Sequence, residues 1–287
     1  MPTSPYHLLL PELRSTSVVF ASPHSGRDYP ASFLRRAVLD AQEIRSSEDA
    51  FVDLLFASAP LHGAPFLTAT APRAFLDLNR GPDEFDPALI EGVRRNAHNP
   101  RIASGLGVIP RVVANGRQIY RGKLTLVEAH HRVIQYWRPY HDRLQMLIDQ
   151  SITDFGQAIL IDCHSMPHEA LENMGPPGAG RPDVVLGDRF GATASGAVMD
   201  QVEAAFIAAG LKVARNMPFA GAYITQHYGR PSRHQHAIQV EIDRALYMDE
   251  ARLTPSAGFD AFRDLLDGVI AALADIGRVP AVRVAAE

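Results

Sequence analysis

Two histidines stand where apolar runs give out: His24 in SVVFASPHSG and His164 in AILIDCHSM. Each run is short, partly β-branched, and breaks into small and turn-forming residues, as a buried parallel strand does at its end. In an open α/β sheet, ligands sit in the crevice beyond the carboxyl ends of the strands. Two imidazoles delivered there from distant parts of the chain point to a metal site, which needs a third ligand and a base. Arg27 occupies the third position after His24, which excludes a local H-x-x-E or H-E-x-x-H pair. The third ligand must come from elsewhere.

Asp49, in RSSEDAFVDLLF, is the best candidate, with Glu48 competing. Ser46 or Ser47 would cap a helix carrying Phe51, Leu54 and Leu55, and an acidic pair in its first turn also complements the helix dipole. Asp162 and His164 share a parity on an extended strand, while Cys163 faces the other way. Asp162 is thereby placed to orient His164, as carboxylates do behind metal-bound imidazoles. Cys163, after Ile159, Leu160 and Ile161, reads as a small core residue more readily than as a nucleophile. Glu241 is flanked by Val240 and Ile242 and must be paired or functional, because an unpaired buried charge is costly. It is either a general base or the partner of an arginine such as Arg244. Asn79 and Arg80, in AFLDLNRGP, follow another apolar run. An arginine fork there suits a substrate carboxylate, or else pairs with Asp77 or Asp83. In GAYITQHYGRP, Tyr223 and His227 are candidate substrate contacts. Arg230, Arg233, His234 and His236 add donors or form a solvated face.

The elements that must position these residues alternate along the chain. Strand-like runs fall at Val18–Ala21, Pro65–Ala69, Ala74–Leu78, Ala158–Cys163, Asp183–Leu186, Leu211–Ala214 and Ala237–Ile242. Helical segments lie between several of them, which predicts a three-layer α/β/α fold with a mostly parallel, mixed, twisted sheet. RVVANGRQIYR reads as a hairpin about Asn115-Gly116, outside the main sheet or at its edge. Thr125 and Glu128 form a capping box. Leu126, His130, Val133, Trp137, Tyr140, Leu144 and Leu147 then mark one buried stripe, kinked at Pro139. Further helices are marked by Val198, Val202, Phe206 and Ala209, stopping at Gly210, and by Phe262, Leu265, Val269, Leu273 and Ile276. A Gly/Pro-rich loop at 172–182 follows the His164 strand, where loops commonly cover active sites.

No internal repeat or composition break divides the 287 residues, so residues 1–287 read as one domain. A chain this long folds without a metal or disulfide, so any metal is catalytic before it is structural. The net charge of −4 is spread along the chain, with no basic stripe for nucleic acid or a membrane surface. A lone cysteine fits a reducing compartment. The N-terminus carries no export signal and no apolar run reaches the ~18–20 residues of a membrane span, so the expected location is the cytoplasm.

Taken together, SPHSG, Asp49, FLDLNR, IDCHS, GAYITQHYG and IQVEIDRALYMDE resemble the N-formylglutamate amidohydrolase family, in the family's order and over residues ~18–250. The resemblance implies a fold of the zinc-carboxypeptidase/phosphorylase-hydrolase type and one Zn2+ on His24, Asp49 and His164. It implies Glu241 as general base, Arg80 or His227 as the cationic donor to the oxyanion, and Asn79, Arg80, Tyr223 and His227 against substrate. The implied activity is hydrolysis of an N-formyl or other N-acyl amino acid, foremost N-formyl-L-glutamate, as in histidine degradation. Ser47-Glu48-Asp49-Ala50 and the basic stretch Arg230–His234 depart from the family's pattern and leave the substrate open between N-acyl amino acids and small peptides.

Overall fold

A computed structural model of the protein describes residues 4–94, 99–172 and 180–278. A seven-stranded sheet forms the middle layer, made of β1 (Tyr6–Leu9), β2 (Val18–Ser22), β3 (Phe66–Ala69), β4 (Ala158–Met166), β5 (Val184–Gly187), β6 (Val213–Arg215) and β7 (Gln235–Asp243). The order is β1-β3-β2-β4-β7-β5-β6. The central strands β3, β2, β4 and β7 run parallel. β1 joins one edge antiparallel, and β5 pairs antiparallel with β7 on the other side. The predicted mixed, mostly parallel sheet is what is observed.

Among the described residues eight α-helices complete the layers: α1 (Ala31–Leu34), α2 (Val52–Leu55), α3 (Pro100–Ala103), α4 (Leu126–Arg132), α5 (Arg138–Phe155), α6 (Gly196–Ala208), α7 (Tyr223–Tyr228) and α8 (Phe259–Ile276). One sheet face, with Phe20, Ile161, Cys163 and Val240, packs against α2, α6 and α8. The other, with Val19, Leu160 and Ala237, packs against α4, α5 and the loops of residues 71–124. This is the three-layer arrangement, and its α6 and α8 carry the expected stripes. No helix among the described residues is long and apolar enough to cross a membrane.

Several local expectations need correction. Ala74–Leu78 is not a strand. It is a turn-rich segment whose Ala74, Phe75, Leu76 and Leu78 are buried by α4 and α5 rather than by sheet pairing. β1 was not expected from the sequence, because a four-residue edge strand that alternates half-buried and exposed positions carries little apolar signal. Asn115 and Gly116 do form the tip of a hairpin-like turn, both in the left-handed region (φ 59° and 69°), closed by a single Val112–Gln118 bridge outside the main sheet. Thr125 caps α4 as read, its hydroxyl accepting from the Glu128 amide. The buried positions of α4 are Ala129 and Arg132, not His130. Arg132 is tolerated there because its guanidinium donates to Phe75 O and Tyr120 Oη and lies 4.1 Å over the Phe75 ring. At the proline, a π-helical turn at Val133–Trp137 precedes α5, and Pro139 lies in the first turn of α5. Proline has no N–H to give to the carbonyl four residues back, and the widened turn meets that loss.

Candidate active site

The carboxyl ends of β2, β4 and β7 point to one edge because the strands are parallel. Pairing of β4 with β7 sets Asp162 opposite Gln239 and His164 opposite Glu241. Side chains alternate along a strand, so these four residues share one face. Cys163 and Val240, also paired, share the other and lie in the apolar core. Burial pushes the Cys163 thiol well above its usual range. A nucleophilic role for it is therefore not supported.

His24 follows β2 in a loop laid directly on Thr70–Ala71. A Cβ at Gly26 would sit 2.2 Å from Ala71 O, so only glycine permits that approach. The Asp49 amide donates to His24 O at 3.0 Å, which brings a third chain segment to the same spot. Asp49 precedes α2, a four-residue helix beginning at Val52 after Phe51 in the left-handed region. The dipole explanation for Asp49 therefore does not apply, and neither Ser46 nor Ser47 caps the helix. Glu48 turns away and accepts from Tyr29 Oη at 2.6 Å and from Arg45. Asp49 turns in: its Oδ2 lies 2.9 Å from His164 Nδ1 and 3.4 Å from His24 Nδ1.

The two imidazoles meet at 4.7 Å between centroids, edge to face. Each presents Nδ1 to Asp49 and Nε2 to a second carboxylate. His24 Nε2 is 2.7 Å from Asp77 Oδ1, and His164 Nε2 is 3.0 Å from Asp162 Oδ2. The first is a hydrogen bond; the second is an ion-pair approach without hydrogen-bond alignment. One ligand atom from each of His24, Asp49 and His164 falls within 4.8 Å of the others, all three residues buried. His24 Nδ1 is buried with no hydrogen-bond partner. Two imidazole nitrogens and a carboxylate oxygen, one of them orphaned and both rings buttressed by carboxylates, fit a divalent cation of the zinc type.

Charges and burial shift the site's groups in opposite directions. Burial would push the Asp49 carboxyl up, but His164 and His24 outweigh it and hold Asp49 well below its usual range. Asp77 is also held low against burial, by Arg80, Arg73 and His24. Burial would lower His164, but Asp162 and Asp49 raise it well above the ordinary imidazole value. Glu241 behaves in the opposite way to Asp49. Burial pushes it up to about 7, with His164 pulling it down and Asp49 adding to the rise. Its Oε1 accepts from Gln239 Nε2 at 2.7 Å. The expected alternative, a Glu241–Arg244 pair, does not form; Arg244 donates to Asp49 Oδ1 at 3.0 Å and to Ser165.

Asn79 and Arg80 reach the site by way of the backbone. His141 Nε2 is 2.9 Å from Leu78 O, and Trp137 Nε1 donates to Arg80 O at 2.9 Å. The π-turn and α5 thus grip the main chain on both sides of Asn79. Asn79 Oδ1 accepts from the Ile224 amide, which leaves Nδ2 3.4 Å from His164 Nε2. Arg80 donates to Leu106 O and Asn79 O, and its guanidinium lines a cavity of about 620 Å³ that also opens onto His24, Asp49, His164 and Glu241.

Tyr223 and His227 do not line this cavity among the described residues; Ala220, Gly221 and Ala222 do. The segment GAYITQHYGRP holds helix α7, which buries Ile224, Thr225 and Tyr228. Tyr223 and His227, one turn apart, stack on each other on its outer side with centroids at 5.0 Å. His236 and its basic neighbours lie at the start of β7, the end remote from Glu241. Most of the Gly/Pro loop, residues 173–179, lies outside the described residues. Sequence reasoning missed Asp77 as the partner of His24, although Asp77 carries the signal used for Glu241, an acid between two apolar residues, here Leu76 and Leu78. It also missed Arg73, Arg101 and Gln239, which all line the cavity.

Residues 16–248 match the sequence model of the N-formylglutamate amidohydrolase family. The chain belongs to that family. An N-formylglutamate deformylase of Pseudomonas aeruginosa is 30% identical over 241 residues, covering 81% of this chain and 82% of the relative. The crystal structure of an N-formylglutamate amidohydrolase from Ralstonia eutropha JMP134 superposes with a TM-score of 0.88 at 35% identity, over 96% of this chain and 99% of that one. A gene product of Agrobacterium tumefaciens shares the fold, with a TM-score of 0.65 at 16% identity, over 95% of each chain. The chain is accordingly an amidohydrolase-like hydrolase acting on linear amides.

Proposed function

We propose that the protein hydrolyses N-formyl-L-glutamate to formate and L-glutamate, with one divalent cation, Zn2+, held by His24 Nδ1, Asp49 Oδ2 and His164 Nδ1. The observation that carries this reading is the buried triad with its unpartnered His24 Nδ1, set beside Glu241 in the same cavity. The names of the relatives support the substrate. The bound cation would supply Lewis acidity toward water and the formyl oxygen. Glu241 takes a proton from the attacking water, a task suited to a carboxylate that titrates at about 7. Gln239 keeps its Oε1 oriented. As the C–N bond breaks, Glu241 returns the proton to the leaving amine. Asp77 accepts from His24 Nε2 and so holds that ring in the tautomer that leaves Nδ1 for the cation, while the Asp162 charge beside His164 Nε2 favours a proton there. Arg80 lies on the cavity wall and faces the developing oxyanion or a substrate carboxylate. The lone, buried Cys163 fits a cytoplasmic enzyme.

The test is formate release from N-formyl-L-glutamate by purified protein, before and after chelation and after zinc is restored. The expected result is activity that vanishes with the metal, returns with zinc and requires Glu241. Chelator-resistant turnover, or zinc-loaded protein that cleaves no N-acyl amino acid, overturns it.

A further inference from the structure

Among the described residues, four arginines line the cavity, Arg73, Arg80, Arg101 and Arg244, against three carboxylates, Asp49, Asp77 and Glu241. Three of the four are engaged within the protein. Arg73 Nε donates to Asp77 at 3.0 Å. Arg80 donates to Leu106 O and Asn79 O. Arg244 donates to Asp49 and Ser165. Arg101 differs. It is exposed on α3, and among the described residues its guanidinium has no acidic partner within 4.0 Å and no hydrogen bond. Its backbone, by contrast, is fixed: Asn99 Oδ1 accepts from the Arg101 and Ile102 amides, and Asn99 Nδ2 donates to Glu84 at 3.1 Å. Among the described residues the cavity thus carries one uncommitted cation on an anchored turn.

Burial is the main cause that lowers the Arg80 value, against the attraction of Asp77, and Arg101 adds to the repulsion from Arg73. A substrate carboxylate bound in the cavity near Arg101 would offset the like charges that Arg101 and Arg80 bring to its wall. Resting on the reading of the site above, we infer that Arg101 is the specificity-determining residue for the side-chain carboxylate of the N-acyl amino acid. Arg80 serves the reacting end of the same substrate, nearer the triad. The chemistry this selects is an N-acylated acidic amino acid, a dianion, over its neutral amide or thioether counterparts. An exposed guanidinium loses little on meeting a carboxylate, and desolvation of Arg101 awaits the substrate that fits.

The experiment compares formate release from N-formyl-L-glutamate, N-formyl-L-glutamine and N-formyl-L-methionine by the wild type, Arg101→Gln and Arg101→Lys, all loaded with zinc. L-Glutamate binding is followed by calorimetry on the same proteins. For Arg101→Gln the preference for glutamate over glutamine should fall about 10–100-fold, the scale of one charge-assisted contact. The change should lie in KM more than in kcat, and L-glutamate should bind correspondingly more weakly. Arg101→Lys should restore part of the preference, keeping the charge but not the fork. An equal loss on all three substrates marks a structural role and overturns the inference, as does an unchanged preference. Wild-type protein that binds L-glutamate but releases no formate refutes the proposed reaction and leaves the calorimetric comparison to decide on Arg101.

Discussion

Replacing Glu241 by glutamine should make the protein more stable and far less active. In the ligand-free chain, burial raises the Glu241 carboxyl from 4.5 to about 7. The folded protein therefore keeps the proton between those two values, where the unfolded chain has released it. Stability from Glu241 is present in full below pH 4.5 and is lost as pH climbs through 7. The difference, at about 1.4 kcal/mol for each tenfold change in proton affinity, amounts to about 3 kcal/mol by pH 8. Glutamine is isosteric, keeps an oxygen for Gln239 and carries no charge, so it escapes this loss. Chelator-treated Glu241→Gln should melt roughly 5–10 °C above chelator-treated wild type at pH 8, and at the same temperature below pH 4.5. Zinc-loaded Glu241→Gln should lose about 10²–10⁴-fold in kcat, the usual contribution of a general base. Wild-type kcat/KM should rise with pH on an acid limb at or below about 7 that reports Glu241 in its ionised form, since a nearby dication favours that form. A melting difference that does not change between pH 5 and pH 8 refutes the buried-charge argument. A kcat reduced less than tenfold refutes the role of base.

Asp77→Asn removes the charge behind His24 and should weaken zinc binding about 10–100-fold, read as metal content after dialysis against a competing chelator. A thiol-alkylating reagent should leave native activity unchanged, because Cys163 is buried on the core side of β4; inactivation that follows alkylation one for one would contradict the parity argument. Trp137→Phe keeps the ring but loses the bond to Arg80 O, and should raise KM roughly 3–10-fold with kcat little changed, since one hydrogen bond to the loop is lost. A fall in kcat with unchanged KM would show that Trp137 acts elsewhere.

What could be read beforehand follows strand chemistry. His164, Asp162 and Glu241 were legible because period-two alternation and a charge amid β-branched residues are local signals, and the structure places them on one face. Asp49 could be proposed but not separated from Glu48, since adjacent residues in a turn diverge by backbone angles that no periodicity encodes. The choice is made by Tyr29 and Arg45, which draw Glu48 away. Ala74–Leu78 misled because burial by α4 and α5 leaves the same apolar trace as burial within a sheet. Tyr223 and His227 were named for their chemistry alone, and the six-residue helix α7 that carries them turns them off the cavity lining among the described residues. Asp77 was passed over because its importance lies in a contact across 53 positions of sequence.

The ladder between β4 and β7 runs from Ala158–Gln235 to Met166–Asp243 and carries one candidate ligand and the candidate base on adjacent positions. Their spacing is therefore a property of main-chain hydrogen bonding at the centre of the sheet. His24, Asp49 and Asp77 are held instead by loops, whose openings cost less than the unfolding of core strands. Warming should thus disassemble the site in order. Amides of residues 24–28 and 77–81 should exchange with solvent well before those of residues 160–164 and 238–242. Catalysis should fade at temperatures where the sheet remains whole, and should return on cooling without refolding of the sheet.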